Sequence, residues 1–513
     1  MRLPAMTFTA LLVLAQPSLG QSVLEVPAVF PTIQSAIDAA VDGDLVRVAA
    51  GVYPETIDLS GKLITLAAVD GPGATVVDAQ GAGTTVVCAT GETAATVIEG
   101  FTFRGGLGAV GLEGGGMRIL DASPTVRRCV FSENDAGVGA GGGGLYIGGS
   151  TSAAFFTDCV FSENDAGSAA RRGGGIYLAE GNATLVGCTL MNNGALDGGG
   201  LCAETPSFGF LIDTRFVGNQ VSAPAGRGAA AYIAGTYTFS NCLIASNLAV
   251  ASGGAALGPG DGVGVFVYGQ DGPAFLALEV CTIVDNASSS GLGIALRSEA
   301  MGGDDNVLVE RSIIWDNGGG EPIELDPNSP SLVENSCVQG GFAGFSNFES
   351  DPLFVSGPGG DYYLSQIDAG QPADSPCLDF GPPQAVSLCS PFAGLGCLSD
   401  RTTRVDEAPD VGPVDVGFHY PSAPFRRGDC NNDQTVDVSD AIFTLATLFI
   451  TGAPAPACED ACDLNDDGQT DISDAVYVLQ NLFAGGAEPP APFPNCGGDP
   501  TPDFLECDGA PCF

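Results

Sequence analysis

The amino-acid sequence predicts an all-β solenoid with a small α-helical domain at its C-terminal end. Three observations carry this expectation. A nine-residue frame, VRRCVFSEN at residues 126–134, is present in seven copies. With Cys129 as position zero, it recurs at Cys159, Cys188, Thr214, Cys242, Cys281 and Ser312, at intervals of 30, 29, 26, 28, 39 and 31 residues. Self-similarity at such a period marks a solenoid, in which each rung buries its apolar side against the next. Secondly, glycine runs lead into short apolar strands at residues 114–119, 142–147, 173–178 and 198–203, each 13 to 15 residues ahead of the next frame. Thirdly, the repeat stops before residue 421, and two aspartate-rich loops follow, each running into an amphipathic helix.

The first twenty residues read as a secretory signal. Arg2 supplies the charge, residues 10–15 (ALLVLA) the apolar run, and Ser18, Leu19 and Gly20 the small cleavage region. The apolar run is too short to span a bilayer, and no later stretch is long enough, so no membrane span is expected. Export makes disulfides permissible for the 17 cysteines.

A short helix is expected next, with Thr32 as N-cap, Ile33, Ala36, Ile37 and Ala40 on one face, and Gly43 as its end. Leu45, Val46 and Val48 then begin a strand. Such a helix would plug the open end of a solenoid, whose first rung otherwise exposes core and strand edge. This opening, residues 30–55 (FPTIQSAIDAAVDGDLVRVAAGVYPE), resembles the start of right-handed parallel β-helix proteins of the pectate-lyase-like group, which includes pectin methylesterases. The resemblance implies a right-handed parallel β-helix over residues 21–420.

Within the repeat, alternation along a strand turns positions zero and plus two inward and plus one outward. Position minus three is also apolar (Val126, Phe156, Leu185, Leu211, Phe239, Leu278, Val309), which implies a bend between minus three and zero. Position plus two is Phe131, Phe161, Leu190, Phe216, Ile244, Ile283 and Ile314. Position plus five is asparagine in all seven copies, Asn134, Asn164, Asn193, Asn219, Asn247, Asn286 and Asn317, and these are expected to stack as a hydrogen-bonded ladder. The cysteines at position zero alternate with Thr214 and Ser312, so they read as small core residues. After residue 338 the pattern fades, and segments up to residue 420, His419 included, are expected to form irregular last rungs. A bridge among Cys377, Cys389 and Cys397 is possible there.

Residues 421–428 (PSAPFRRG) read as a linker, and Arg426 and Arg427 are the last basic residues of the chain. The next 86 residues hold 16 acidic and no basic side chains. Residues 429–440 (DCNNDQTVDVSD) and 463–474 (DLNDDGQTDISD) place oxygen donors at loop positions 1, 3, 5, 9 and 12, with a backbone carbonyl from position 7. A hard cation takes six to eight oxygens, and this spacing is that of an EF-hand calcium loop. The first set is Asp429, Asn431, Asp433, Thr435 (carbonyl), Asp437 and Asp440. The second is Asp463, Asn465, Asp467, Gln469 (carbonyl), Asp471 and Asp474. Two calcium ions are therefore expected. Helices are expected over residues 441–449 and 475–483.

The 34-residue offset, aspartate at position 12 and the missing entering helix resemble a dockerin type I module, expected over residues 429–486. Gln434 stands where the second loop has Gly468, so the first site is expected to be the weaker. The resemblance implies a cohesin-like or cell-envelope protein partner, although positions 10 and 11 hold Val438-Ser439 and Ile472-Ser473 rather than paired Ser/Thr. Cys430, Cys458, Cys462, Cys496, Cys507 and Cys512 suggest three disulfides. The Cys-rich tail, residues 487–513, is expected to fold back on the module.

Composition narrows the function. A formal charge of −44, from 61 acidic and 17 basic residues, argues against nucleic acid and anionic membranes. With one histidine (His419) and one lysine (Lys62), most triad, His-zinc and Schiff-base chemistries lack their residues. The outward charges Arg118, Arg127, Arg215, Arg297, Glu133, Glu163, Asp285 and Asp316 form no recognisable catalytic pattern. The expectation is a secreted or cell-surface calcium-binding protein, non-catalytic, that binds or presents itself at extracellular polysaccharide. The alternative is a polysaccharide lyase or glycoside hydrolase carrying the same module.

Overall fold

The structure is a computed structural model, and it describes residues 21–109, 113–138, 141–167, 172–223, 226–251, 264–269, 273–288, 294–300, 305–318, 321–388, 397–406, 408–421, 425–433, 435–450, 453–456, 458–466, 469–490 and 493. The expected signal segment, Gln434, Asp467, Gly468, Cys389, Cys496, Cys507 and Cys512 lie outside the described residues.

Three parallel sheets wrap one continuous apolar core. Sheet 1 has 12 strands, from Val23–Val26 to Leu332–Glu334; sheet 2 has 11, from Gly51–Tyr53 to Cys337–Val338; sheet 3 has 10, from Ile57–Asp58 to Ile323–Glu324. The chain visits them in a constant order, for example Thr125–Arg127, Val130–Ser132 and Leu145–Gly148 before returning to sheet 1 at Ala153–Thr157. Successive rungs stay in register, so Phe131, Phe161, Leu190, Phe216, Ile244, Ile283 and Ile314 form one inward column. Phe131 and Phe161 stack with centroids 5.0 Å apart and planes 7° from parallel.

The expected bend sits at position minus one. Arg128, Asp158, Asp213, Asn241, Val280 and Arg311 all adopt left-handed φ values between 48° and 56°, and Gly187 takes the same role at 62°. This single residue turns sheet 1 into sheet 2. The position-zero side chain then donates back to the carbonyl two residues earlier: Cys129 Sγ to Arg127 O at 3.2 Å, Thr214 Oγ1 to Ile212 O at 3.0 Å, Ser312 Oγ to Glu310 O at 2.9 Å. Thiol and hydroxyl are interchangeable because either supplies that donor.

The asparagine ladder is complete. Each Nδ2 donates to the next Oδ1 at 2.8–3.0 Å, from Asn134 through to Asn317. Each Oδ1 after Asn134 also accepts the backbone N–H of the ladder residue before it. A buried amide left unmet would cost more than a typical hydrogen bond returns, so the position tolerates only a side chain with both functions. The glycine runs serve close approach. A Cβ on Gly143 would lie 2.3 Å from Asp165 O, on the rung above.

At the N-terminal end, helix α1 (Ile33–Ala39) buries Ile33, Ala36 and Ile37. Thr32 and Ser35 form a capping box, and Glu55 accepts the N–H groups of Ile33 and Gln34. The helix stops at Ala39 rather than running on to Gly43, because Ala40 is already extended. Lys62, the sole lysine, holds this C-terminus, its Nζ 2.6–2.8 Å from the carbonyls of Ile37, Asp38 and Ala40.

Residues 352–421 do not continue the rungs. They pair antiparallel, Phe354–Gly357 with Gly360–Leu364, Gly381–Gln384 with Pro413–Val414, and Arg401–Thr402 with Tyr420–Pro421. This segment doubles back over the outer face of sheet 2. Asn241 and His419 exchange two bonds, Phe418 N–H donates to Thr282 Oγ1, and Arg401 pairs with Asp213. The plus-one residues Leu243, Thr282 and Ile313 are buried beneath it. Outward position plus one is therefore open surface only in the earlier rungs, such as Val130, Val160 and Thr189.

Candidate functional site

The two aspartate loops are built alike. In each, position 9 is the N-cap of the following helix and position 12 is its N3 residue. Asp437 and Asp440 form the capping box of α2 (Val438–Phe449), and Asp471 and Asp474 that of α3 (Ile472–Ala484). Both helices start three residues earlier than the apolar pattern indicates, because the cap is made by the loop itself. Asp440 accepts from Asn431 N–H at 3.2 Å and Asp437 N–H at 2.8 Å; Asp474 accepts from Asn465 N–H at 3.3 Å and Asp471 N–H at 2.8 Å. Position 4 is left-handed in both, Asn432 at 56° and Asp466 at 60°. Asn431 and Asn465 each donate Nδ2 to the serine at position 11.

These turns gather Asp429, Asn431, Asp433, Thr435, Asp437 and Asp440 in one loop, and Asp463, Asn465, Gln469, Asp471 and Asp474 in the other. Asp429, Asp440, Asp463 and Asp474 are buried. Burial pushes the Asp440 carboxyl up to about 6, with the charges of Asp429 and Asp433 adding to it. A buried carboxylate that feels two neighbouring carboxylates is costly unless a counter-charge joins it. Oxygen donors without nitrogen or sulfur suit a hard ion, so the residues present fit calcium.

Arg427, in the expected linker, belongs to this module. It is fully buried, donates to Asp463 O at 2.6 Å and Asp460 O at 3.5 Å, and pairs with Asp466 at 3.0 Å. Its guanidinium packs 5.3 Å from the Phe425 ring. Its place as the last cation before an uninterrupted acidic stretch is the one signal the sequence offers for this role. Cys430 and Cys462 form a disulfide, and Cys458 is also disulfide-bonded. Farther back, Cys397 is bridged, whereas Cys377 is free.

On the solenoid, the outward residues of sheet 3 form a column: Arg118, Tyr146, Tyr177, Cys202, Tyr232, Phe266 and Arg297 are in register. Tyr177 donates to Glu204 at 2.8 Å, and Arg172 pairs with the same carboxylate. Arg227 pairs with Asp197 and lies 5.0–5.2 Å from the rings of Tyr232, Phe266 and Tyr268. A groove of about 650 Å3 lined by Asp135, Asp165, Gly194, Gln220, Ser222 and Val250 lies elsewhere, over a fourth, four-stranded parallel sheet that runs from Gly194–Ala195 to Ala287–Ser288.

The outward charges singled out above do not converge. Glu133, Glu163, Asp285 and Asp316 occupy left-handed turns ahead of the ladder asparagines. Arg215 lies under Phe418 and Tyr420, and Arg297 pairs with Glu299. His419 is buried, its Nδ1 facing Gly417 O and its Nε2 facing Asp410 at 2.9 Å, with Asp415 beside them. Both ring nitrogens are engaged in holding the C-terminal segment.

A family model, Right handed beta helix region, matches residues 75–272, and a second, Dockerin type I domain, matches residues 427–483. No curated protein matches the chain. Among solved structures it is similar to pectate lyase Pel9A (14% identity, 74% of this chain and 90% of that one, TM-score 0.39). It is also similar to PfbA, a surface adhesin of Streptococcus pneumoniae (12%, 64% and 89%, TM-score 0.35). A third is a pectin methylesterase from Aspergillus niger (13%, 66% and 88%, TM-score 0.28). No helix among the described residues is long and apolar enough to cross a membrane. Stacked parallel rungs with an asparagine ladder, followed by two duplicated aspartate loops, make the chain a right-handed parallel β-helix protein with a C-terminal dockerin type I domain.

Proposed function

We propose that the chain works outside the cell as a calcium-binding β-helix protein, attaching to polysaccharide through the outer face of sheet 3 and docking to a cohesin-like or cell-envelope protein through its C-terminal module. The observation that carries this reading is the duplicated loop. The capping box, the left-handed fourth position and the buried position-12 carboxylate recur 34 residues apart. Bound calcium would add counter-charge to these buried carboxylates. Asp429, Asn431, Asp433, Asp437 and Asp440 would hold one ion with the Thr435 carbonyl. Asp463, Asn465, Asp467, Asp471 and Asp474 would hold the other with the Gln469 carbonyl.

Along this face Arg172 is matched to Glu204, Arg227 to Asp197 and Arg297 to Glu299, whereas Arg118 has no ion pair among the described residues. Cleaving a glycosidic bond calls for a base or acid free to exchange a proton beside the scissile atoms. Paired groups suit hydrogen bonding to sugar hydroxyls better, and they favour binding without cleavage. The side-by-side carboxylates Asp135 and Asp165 in the groove are the observation that favours the second reading, a polysaccharide lyase or glycoside hydrolase. The test is to incubate the full-length protein with a panel of acidic and neutral polysaccharides, scoring retention together with new unsaturated or reducing ends. Retention without new ends is the expected result. New ends that vanish in Asp165→Asn would replace it with the enzyme reading.

A further inference from the structure

We infer that Cys337 and Cys377 form a disulfide that locks the C-terminal segment onto the last rungs of the solenoid. Cys337 lies in the last strand of sheet 2, aligned with Ile313 of the rung before it. It stands at position plus one of an eighth frame, in which Val333, Ser336 and Val338 are the inward residues. Its side chain therefore points out of the solenoid, unlike the thiols at position zero. Cys377 arrives from the segment that doubles back over this face. Both are free thiols in this structure, fully buried in one cluster with Ile313, Leu364 and Val416, and close enough for each to perturb the other. The backbone on either side is pinned: Cys337 N–H donates to Ser312 O, and Val416 N–H donates to Cys377 O.

The zero-position cysteines differ in kind. Neighbours such as Cys159 and Cys188 also touch, but each thiol donates to the carbonyl at the corner, a bond that a bridge would remove. Position plus one lies off that corner, and Leu243, Thr282 and Ile313 fill it in the rungs below; the Cys337 thiol donates instead to Ser350 O at 3.1 Å, on the segment after the last rung, and it gives up that bond when the bridge closes. The chain is bridged elsewhere, at Cys430–Cys462, Cys397 and Cys458, so it matures where thiol–disulfide exchange proceeds. The closing step is an exchange with a protein or small-molecule disulfide as oxidant. One thiolate attacks that disulfide, and the second displaces the resulting mixed disulfide. The Sγ–Sγ bond forms while two electrons and two protons leave with the reduced dithiol. Burial places this step before or during docking of the segment, and it shields the finished bond from reductant.

The test uses the full-length protein purified from an oxidising compartment. It is denatured with an alkylating agent and no reductant, digested with chymotrypsin and mapped by mass spectrometry. The expected result is one linked pair of peptides holding Cys337 and Cys377, separable only after reduction, with Cys129 and Cys188 alkylated. In Cys377→Ser, Cys337 becomes alkylated as the single additional free thiol. Alkylation of both residues in the wild-type chain, or a link from either to another cysteine, overturns the inference whether or not the variant folds.

Discussion

Cys430 and Cys462 are bridged with their Cα atoms 4.6 Å apart, which ties position 2 of the first aspartate loop to the residue directly before position 1 of the second. The two loops are therefore held side by side by a covalent bond, and α2 and α3 close over them through Ala441, Leu464, Ala475 and Val478. Among the described residues the module's other apolar cluster is small (Phe425, Cys458 and Ala461), so the bridge and the proposed ions would share the task that a larger core performs elsewhere.

Removing that bridge should be felt most without calcium. Loop-closure entropy over the 32 residues between the partners corresponds to about 3–4 kcal/mol. Hydrogen exchange in Cys430→Ala/Cys462→Ala should show α2 and α3 opening far more readily in chelator, with much of the protection returning on calcium addition. Unchanged protection in chelator would mean that the bridge is ornamental.

Arg427 is the buried counter-charge of the second loop. Arg427→Met keeps the volume and removes the donors to Asp463 O and the partner of Asp466, so the module should lose about 3 kcal/mol. The exposed Arg127→Met should change stability by no more than about 0.5 kcal/mol. Equal effects in the two variants, measured by denaturant unfolding, would remove Arg427 from this role.

Asn193 sits in the middle of the ladder and satisfies Phe161 O, Asn219 Oδ1 and the N–H of Asn164. Asn193→Leu fills the space but leaves buried groups on both neighbouring rungs unmet, at about 1–3 kcal/mol for each group. Its thermal midpoint should fall well below that of Thr189→Ala, an outward substitution in the same rung. A midpoint close to wild type would show that the ladder is not a source of stability.

Burial, and then the charge of Asp410, push the Asp415 carboxyl up to about 6. A group whose value is raised on folding stabilises most below its unfolded value, near pH 4, and that contribution is lost as pH rises through 6. Asp415→Asn should therefore flatten the fall in stability between about pH 4 and pH 6. The midpoint measured across that interval checks it, and an unchanged slope contradicts it.

The rungs were legible because each side-chain role is set within a dozen residues. The apolar positions, a bend between minus three and zero and the ladder asparagine all recur with the frame; the exchange of cysteine for Thr214 and Ser312 marked a small inward side chain, and the structure adds the local bond that all three make. The C-terminal segment was not legible in this way. Its partners are far away in sequence, Asp213 with Arg401 and Asn241 with His419, separated by 188 and 178 residues, and no periodicity marks them. Residues with strand-like patterning read as further rungs when they are antiparallel cover. Arg427 was missed for another reason: an arginine between proline and glycine reads as solvated linker, and only the fold brings the carbonyls of the second loop around it. The aspartate loops were legible because ligand spacing, unlike a tertiary contact, is written in consecutive residues.

Calcium binding by the duplicated loops is the central claim, and calorimetric titration of the full-length protein tests it most directly. The account predicts two ions per chain, with Asp440→Ala and Asp474→Ala each abolishing one and leaving the other. No binding at millimolar calcium, or a stoichiometry that neither substitution changes, would contradict it.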